Sequence, residues 1–418
     1  MNYTGPEKLI EMKKKYLFPN TMHFYKNPPQ FVKGKNQFLY DTNNKKYLDF
    51  FSGVSVINCG HCNDEIINAT INQIQELQHT SIIYITEPMI QLAKKLSEIM
   101  PGDLQHTFFC TSGSEANEGA ILLARLHTNR KKIITIEAGL HGRTNLTMNA
   151  TNIPMWRIDP YLSDDCIAIP SFYNKDLDID VSARYSLNAL KALLENSPKD
   201  TFAALIAEPI QGNGGILTPP KWYFKEMKSL LESYGILLIV DEVQTGYGRT
   251  GKMFAIENFE VVPDIMTTAK ALGNGLPIST FSSNSEIAQS FNKPSASTLG
   301  GNLVSSTTGL AVIDYIENNN LCNKSAELGK YLKSKLLELK NQFNFIHDVR
   351  GIGLMLGMEL IDPKLVDYIL EELLKSGIIL GKNGLTRNVL AFQPPLVIDK
   401  SDIDFLIENL NRIFISLI

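Results

Sequence analysis

Between residues 105 and 280, short apolar runs alternate with helical patterns, and that alternation restricts the chain more than any other feature. Thr107–Cys110, Lys132–Ile136, Phe202–Ala207 and Ile236–Val240 are strand-length segments dominated by Ile, Leu, Val, Ala and Phe. Strands apolar on both faces must be covered on both faces, and parallel sheets achieve this with crossover helices. The segments between supply them. In Ser114–His127, Ala116, Ala120, Leu123 and Ala124 recur at helical spacing, and Pro219–Tyr234 reads as a helix opened by prolines. The expected fold class is α/β, a largely parallel sheet flanked by helices.

The two ends differ. Residues 31 to 50 alternate polar and apolar, with Asp41–Lys45 as the turn of a hairpin. From Leu310 onward, long helices (Ser325–Asn341, Asp362–Ser376) accompany short strands near Gly353–Leu360 and Val389–Phe392. Asp362-Pro363 is a cap-then-proline helix start. The expected division is an N-terminal arm (1–55) packed with a small α+β C-terminal domain (311–418), with a large domain (56–310) between them. At 418 residues the chain can bury its core without disulfide or metal.

Charge narrows the partners. Forty basic residues face 44 acidic ones, a net of −4 with no long block of either sign. This offers no general electrostatic grip on nucleic acid or an anionic membrane. No apolar run approaches the ~20 residues that span a bilayer. Met1–Tyr16 is polar and Lys-rich, without the apolar centre of a secretory signal, and the first arginine is Arg125, unlike an Arg-rich transit peptide. Cys59, Cys62, Cys110, Cys166 and Cys322 suit a reducing compartment. The expectation is a cytoplasmic protein with no nucleic-acid or membrane partner.

Three polar clusters fall at the carboxyl ends of strands, where open α/β sheets bind ligands. In Cys110-Thr-Ser-Gly-Ser-Glu-Ala-Asn117 a strand turns through glycine into a helix, a placement that suits a phosphate, although Ser and Gly caps open very many helices. Asp241 follows an apolar run, so its carboxylate needs a hydrogen-bonding or cationic partner. Read alone it could equally cap a helix. Lys270 lies in the apolar, glycine-rich stretch Thr268–Pro277, where desolvation can make a lysine a nucleophilic amine. A surface lysine is the ordinary reading of such a residue. Phosphate nest, buried acid and desolvated lysine, in that order, are the three anchors of a pyridoxal phosphate site.

Four motifs carry a resemblance. Ile206-Ala-Glu-Pro-Ile-Gln-Gly212, Asp241-Glu-Val-Gln-Thr-Gly-Tyr-Gly-Arg-Thr-Gly251, Ala269-Lys-Ala-Leu-Gly-Asn-Gly275 and Thr298-Leu-Gly-Gly-Asn302 resemble the class III (ω-) aminotransferases. These are pyridoxal-phosphate enzymes of the aspartate-aminotransferase fold, fold type I. The resemblance runs from about Gly34 to the C-terminus. It implies a seven-stranded, mostly parallel sheet in the large domain and an amino transfer from an amine donor to an oxo-acid acceptor. The donor class it suggests is an ω-amino acid or related amine, of the 4-aminobutyrate, β-alanine, taurine or ornithine type, with pyruvate or 2-oxoglutarate as acceptor. Lys270 would form the Schiff base with the cofactor and shuttle the proton. Asp241 would pair with the pyridine nitrogen, Val243 would pack on the ring and Gln244 would reach the phenolic oxygen. Ser112, Gly113 and Ser114 would hold the phosphate, and Thr298 matches a threonine that reaches the phosphate in the neighbouring subunit. A homodimer with shared active sites follows, or a tetramer built on it.

The departures matter too. In Gly139-Leu-His-Gly-Arg143, Leu140 stands where the family usually has an aromatic residue stacked on the ring, with His141 beside it. Arg143 matches an arginine that binds a substrate carboxylate in members acting on 4-aminobutyrate or ornithine. The usual Asn-Val-Leu-Arg reads Asn388-Val-Leu-Ala391 here, so the arginine that grips the acceptor's α-carboxylate is absent. Glu208, its usual partner, is left alone, and Arg387 is the nearest replacement in sequence. A racemase or epimerase on the same scaffold uses the same anchors. Cys59-Gly-His-Cys62 offers a dithiol redox reading, but it lacks a thioredoxin-like βαβ context, and no second ligand pair supports a metal site.

Overall fold

The computed structural model describes residues 3–418; Met1 and Asn2, the start of the N-terminal arm, lie outside them. After a helix at Pro6–Tyr16 come three short antiparallel strands, β1 (Phe31–Lys35), β2 (Phe38–Asp41) and β3 (Lys46–Asp49). The turn between β2 and β3 is held by Asp41, whose Oδ1 accepts from the amides of Asn43 and Lys45 at 2.8 and 3.0 Å.

Seven strands build the main sheet: β4 (His106–Cys110), β5 (Lys132–Ile136), β6 (Cys166–Ile169), β7 (Phe202–Ala207), β8 (Leu237–Asp241), β9 (Ile265–Thr268) and β10 (Ser279–Ser283). Their order is β4-β10-β9-β8-β7-β5-β6. Every pairing is parallel except at β10, which runs antiparallel to both β4 and β9. The expected seven-stranded, mostly parallel α/β sheet is therefore present. Alternate strand residues feed different cores: Ile239 and Ile265 pack with Ala120 and Ala124 of the helix Gly113–Thr128, while Leu238, Val240 and Met266 join a larger cluster on the other face. Two-sided burial is why these strands lack polar alternation.

The C-terminal part adds β11 (Ile346–Ile352), β12 (Met355–Leu360), β13 (Ile378–Ile379), β14 (Gly381–Asn383) and β15 (Val389–Phe392), with long helices at Leu321–Gln342, Pro363–Lys375 and Lys400–Ile415. One sheet has the order β11-β12-β15-β14, and β13 pairs in parallel with β3, tying the N-terminal strands to the C-terminal part. Asp362 caps its helix by accepting from the Lys364 amide at 2.8 Å.

Several boundaries differ from expectation; the helix expected over 325–341 begins four residues earlier, at Leu321. The helix expected over 219–234 begins at Tyr223, because the Tyr223 amide closes a turn onto the Pro220 carbonyl first. The strand expected over 236–240 runs one residue later, so Asp241 is its last residue.

The long helix Leu321–Gln342 lies against the β11–β12 turn through Gly329, where an added Cβ would collide with the Gly353 backbone. Gly329→Ala therefore sets a helix gain of about 1 kcal/mol against overpacking of about 1–3 kcal/mol. Backbone cannot rotate away, so the net effect is a loss. A lower urea midpoint checks this, and an unchanged or raised one contradicts it.

Candidate active site

The carboxyl ends of β4, β7, β8 and β9 open on one cavity of about 360 Å³, within the range of small-molecule sites. Its walls bring together Ser112, Gly113, Ser114, Asn117, Leu140, His141, Glu208, Asp241, Val243, Gln244 and Lys270. Of the site residues expected from sequence, ten converge here. Arg143 and Thr298 do not line it; both are exposed, Arg143 on the loop beside Ser114 and Thr298 on a loop after β10.

At one end the helix Gly113–Thr128 begins. Its Ser112 cap accepts from the Glu115 amide at 3.2 Å, and the amides of Gly113 and Ser114 have no intrahelical acceptor. The Ser114 hydroxyl accepts from the Arg143 amide at 3.1 Å. Two glycines keep this end open. A Cβ on Gly113 would lie 2.8 Å from Val243 Cγ1, and one on Gly142 (φ 148°) 2.6 Å from Ser114 Oγ.

Asp241, 3% exposed, is met by three donors. Its Oδ2 accepts from His141 Nδ1 and from Asn117 Nδ2, both at 2.8 Å, and its Oδ1 from the Val243 amide at 3.1 Å. His141 thus sits against Asp241, and Leu140 lines the cavity beside it. Asn117 and Thr267 were not singled out by sequence. The signal that could have found them is an amide on an otherwise apolar helix face, beside a run of buried threonines in β9.

Lys270 follows β9 with φ 42°, a left-handed conformation unusual for a side-chain-bearing residue. Burial pushes its amine below the ordinary lysine range, against the opposing pull of Asp241 and Glu208. Glu208 accepts from the amides of Leu140 and Gly212 at 2.9 and 3.0 Å. Burial raises its carboxyl to about 7; His141 opposes that rise and Asp241 adds to it.

No arginine lines the cavity. Ala391, fully buried in β15, packs in an apolar cluster with Ile210, Ile216 and Met355 and does not line the cavity. Arg387 stacks on Phe24 at 5.2 Å, and Arg350 is bound to Glu359 and Asp348 at 2.6 and 3.1 Å.

The residues present fit pyridoxal phosphate. Gln244 Nε2 is buried without a partner, a free donor for a phenolic oxygen, and its amide lies so close over Gly212 that a Cβ there would overlap it. The cysteine pair does not fit redox chemistry. Cys59 is buried and its thiol is raised well above the ordinary range by burial, whereas Cys62 is exposed, and both are free. The helix after them starts at Asp64 on an Asn63 cap, and His61 is hydrogen-bonded to Asp49 at 2.8 Å. Among the described residues no His, Cys, Asp and Glu group could hold a metal ion, and no helix is long and apolar enough to cross a membrane.

A family model described as aminotransferase class-III matches residues 23–414, and the chain belongs to that family of pyridoxal-phosphate-dependent enzymes. It is 39% identical over 415 residues to an acetylornithine aminotransferase of Methanocaldococcus jannaschii, covering 98% of both chains. It is 38% identical over 427 residues to a leucine/methionine racemase of Thermococcus litoralis, covering 97% of this chain and 95% of the relative. Among solved structures, an (S)-enantioselective ω-transaminase from Thermomicrobium roseum superposes with a TM-score of 0.92 at 29% identity over 100% of both chains.

The two buried acids give a pH signature. Glu208 and Glu242 are both raised by burial from 4.5 to about 7, so the folded protein keeps protons that the unfolded chain has released. Between those values stability falls as pH rises. In the cofactor-free protein, unfolding free energy should drop from pH ~5 to ~7.5, and Glu208→Gln should flatten the slope. An identical slope in the variant contradicts the buried-acid assignment.

Proposed function

We propose that this enzyme moves an amino group from an ω-amino acid or related amine, of the 4-aminobutyrate, β-alanine, taurine or ornithine type, to an oxo acid. The observation that carries the reading is the convergence of an amine-depressed Lys270, a donor-ringed Asp241 and an open helix N-terminus on one cavity. Bound pyridoxal phosphate supplies an aldehyde for the donor amine and an electron-withdrawing ring. Ser112, Gly113 and Ser114 would hold its phosphate, Asp241 would meet its ring nitrogen and Gln244 its phenolic oxygen, and Val243 and Leu140 would pack against the ring.

Lys270 Nζ would take the proton from the donor carbon and deliver it to the bound cofactor within the same half-cycle, and in the second half it would carry a proton from the cofactor to the acceptor carbon. A lysine kept short of its proton by burial is suited to that base role. Arg143 meets the distal acid group of the donor at the rim. With Ala391 in place of an arginine, the acceptor's carboxylate has no guanidinium in the cavity, which favours pyruvate at least as well as 2-oxoglutarate. The arm 1–55 and the domain 311–418 act as one unit beside the domain 56–310.

The active unit is a homodimer, in which Thr298 reaches the partner's phosphate site. The exposure of the apolar residues Ile82, Ile83, Tyr84, Ile85 and Leu299 supports this, since a second copy would take such side chains out of water. Five free cysteines agree with a cytoplasmic setting.

A panel of amines assayed with each acceptor tests the reading. The expected result is an aldehyde or oxo product equimolar with alanine from pyruvate, lost by several powers of ten in Lys270→Ala. Inversion of an amino acid with no oxo product would establish the racemase reading instead, and turnover by Lys270→Ala would overturn the lysine's role.

A further inference from the structure

We propose that Asn117 is a positioning residue for amino transfer: with Thr267 it holds Asp241 in the orientation that keeps the cofactor's ring nitrogen protonated. This rests on the reading above that Asp241 pairs with that nitrogen. Asn117 is 1% exposed, on a helix face whose other buried residues are Ala116, Ala120, Ile121, Leu123 and Ala124. A carboxamide there is costly unless every bond it can make is made. All of its hydrogens are used. Nδ2 donates to Asp241 Oδ2 at 2.8 Å and to the His141 carbonyl at 2.7 Å, while Oδ1 accepts from Thr267 Oγ1 at 2.6 Å.

The orientation of the amide is forced. A carboxylate and a carbonyl can only accept, so Nδ2 must face them. The flipped amide would set two acceptors against Oδ1. Thr267 stands beside Asp241 in register, the two residues being paired across β8 and β9, so its hydroxyl locks the amide from the neighbouring strand.

The consequence falls on Asp241. His141 and Asn117 both hold Oδ2, whereas Oδ1 accepts only the Val243 amide. Oδ1 is thus the oxygen with room for another donor. With Asn117 gone, Oδ2 keeps only the His141 bond and Oδ1 only the Val243 amide, so the carboxylate loses one of the three donors that set its tilt and charge. The buried amine of Lys270 and carboxyl of Glu208 are the remaining ionisable groups facing it.

The test uses the holoenzyme with Asn117→Ala, Thr267→Val and Asp241→Asn. The first readout is the NMR chemical shift of an isotope-labelled ring nitrogen against pH. In the wild type the nitrogen stays protonated through neutral pH. In Asn117→Ala and Thr267→Val its deprotonation moves to lower pH, and kcat falls about tenfold or more in Asn117→Ala, with a smaller change in donor KM. The second readout is rescue. A cofactor analogue methylated on the ring nitrogen carries its charge covalently, so the wild-type to variant ratio of kcat should close to within about threefold. Thr267→Val leaves the amide in place and carries the test if Asn117→Ala fails to load cofactor. If Asp241→Asn moves the nitrogen's titration while neither Asn117→Ala nor Thr267→Val does, the inference falls and the Asp241 reading stands. If Asp241→Asn leaves it unmoved, the underlying reading falls.

Discussion

A carboxylate at the end of a buried strand is the constraint around which this site is organised. Asp241 closes β8 in the middle of the sheet, where water cannot solvate it, and an unmatched charge there would cost several kcal/mol. Donors therefore come from three directions: His141 from the loop after β5, Asn117 from the helix after β4, and the Val243 amide from its own chain. Each fixes another part of the cavity. The loop carrying His141 also carries Leu140 and Gly142, the helix carrying Asn117 also offers its N-terminus, and Val243 lies against Gly113.

The second constraint is what the cavity lacks. Ala391 packs with Ile210, Ile216 and Met355, and Glu208 faces Lys270 in a cavity whose lining holds no arginine. Two backbone amides hold that carboxyl in place but do not neutralise it. Arg143 stays outside the lining, exposed on the loop beside Ser114.

Much of this was legible in the sequence, for physical reasons that differ by element. β7 and β8 declared themselves because two-sided burial leaves no polar residue in them before Asp241, and Asp241 and Lys270 because one closes a strand and the other follows one, each inside a motif. The helix start at 219–234 was misplaced since proline signals a first turn but not which turn. Asn117 was passed over because its bonds run to Thr267, 150 residues away, and to Asp241, an adjacency that exists only once the helix Gly113–Thr128 packs on β8 and β9. The exposure of Arg143 and Thr298 was equally hidden, as a motif fixes a residue's place in the chain but not which way its loop turns.

The most direct test of the account is where the cofactor attaches. The purified holoenzyme, reduced with borohydride and digested, should carry pyridoxyl phosphate on the peptide containing Lys270 and on no other, with the visible absorption band abolished. A label on a different lysine, or a protein that takes up the cofactor without any reducible link, would contradict the central claim that this cavity is built around Lys270 and Asp241.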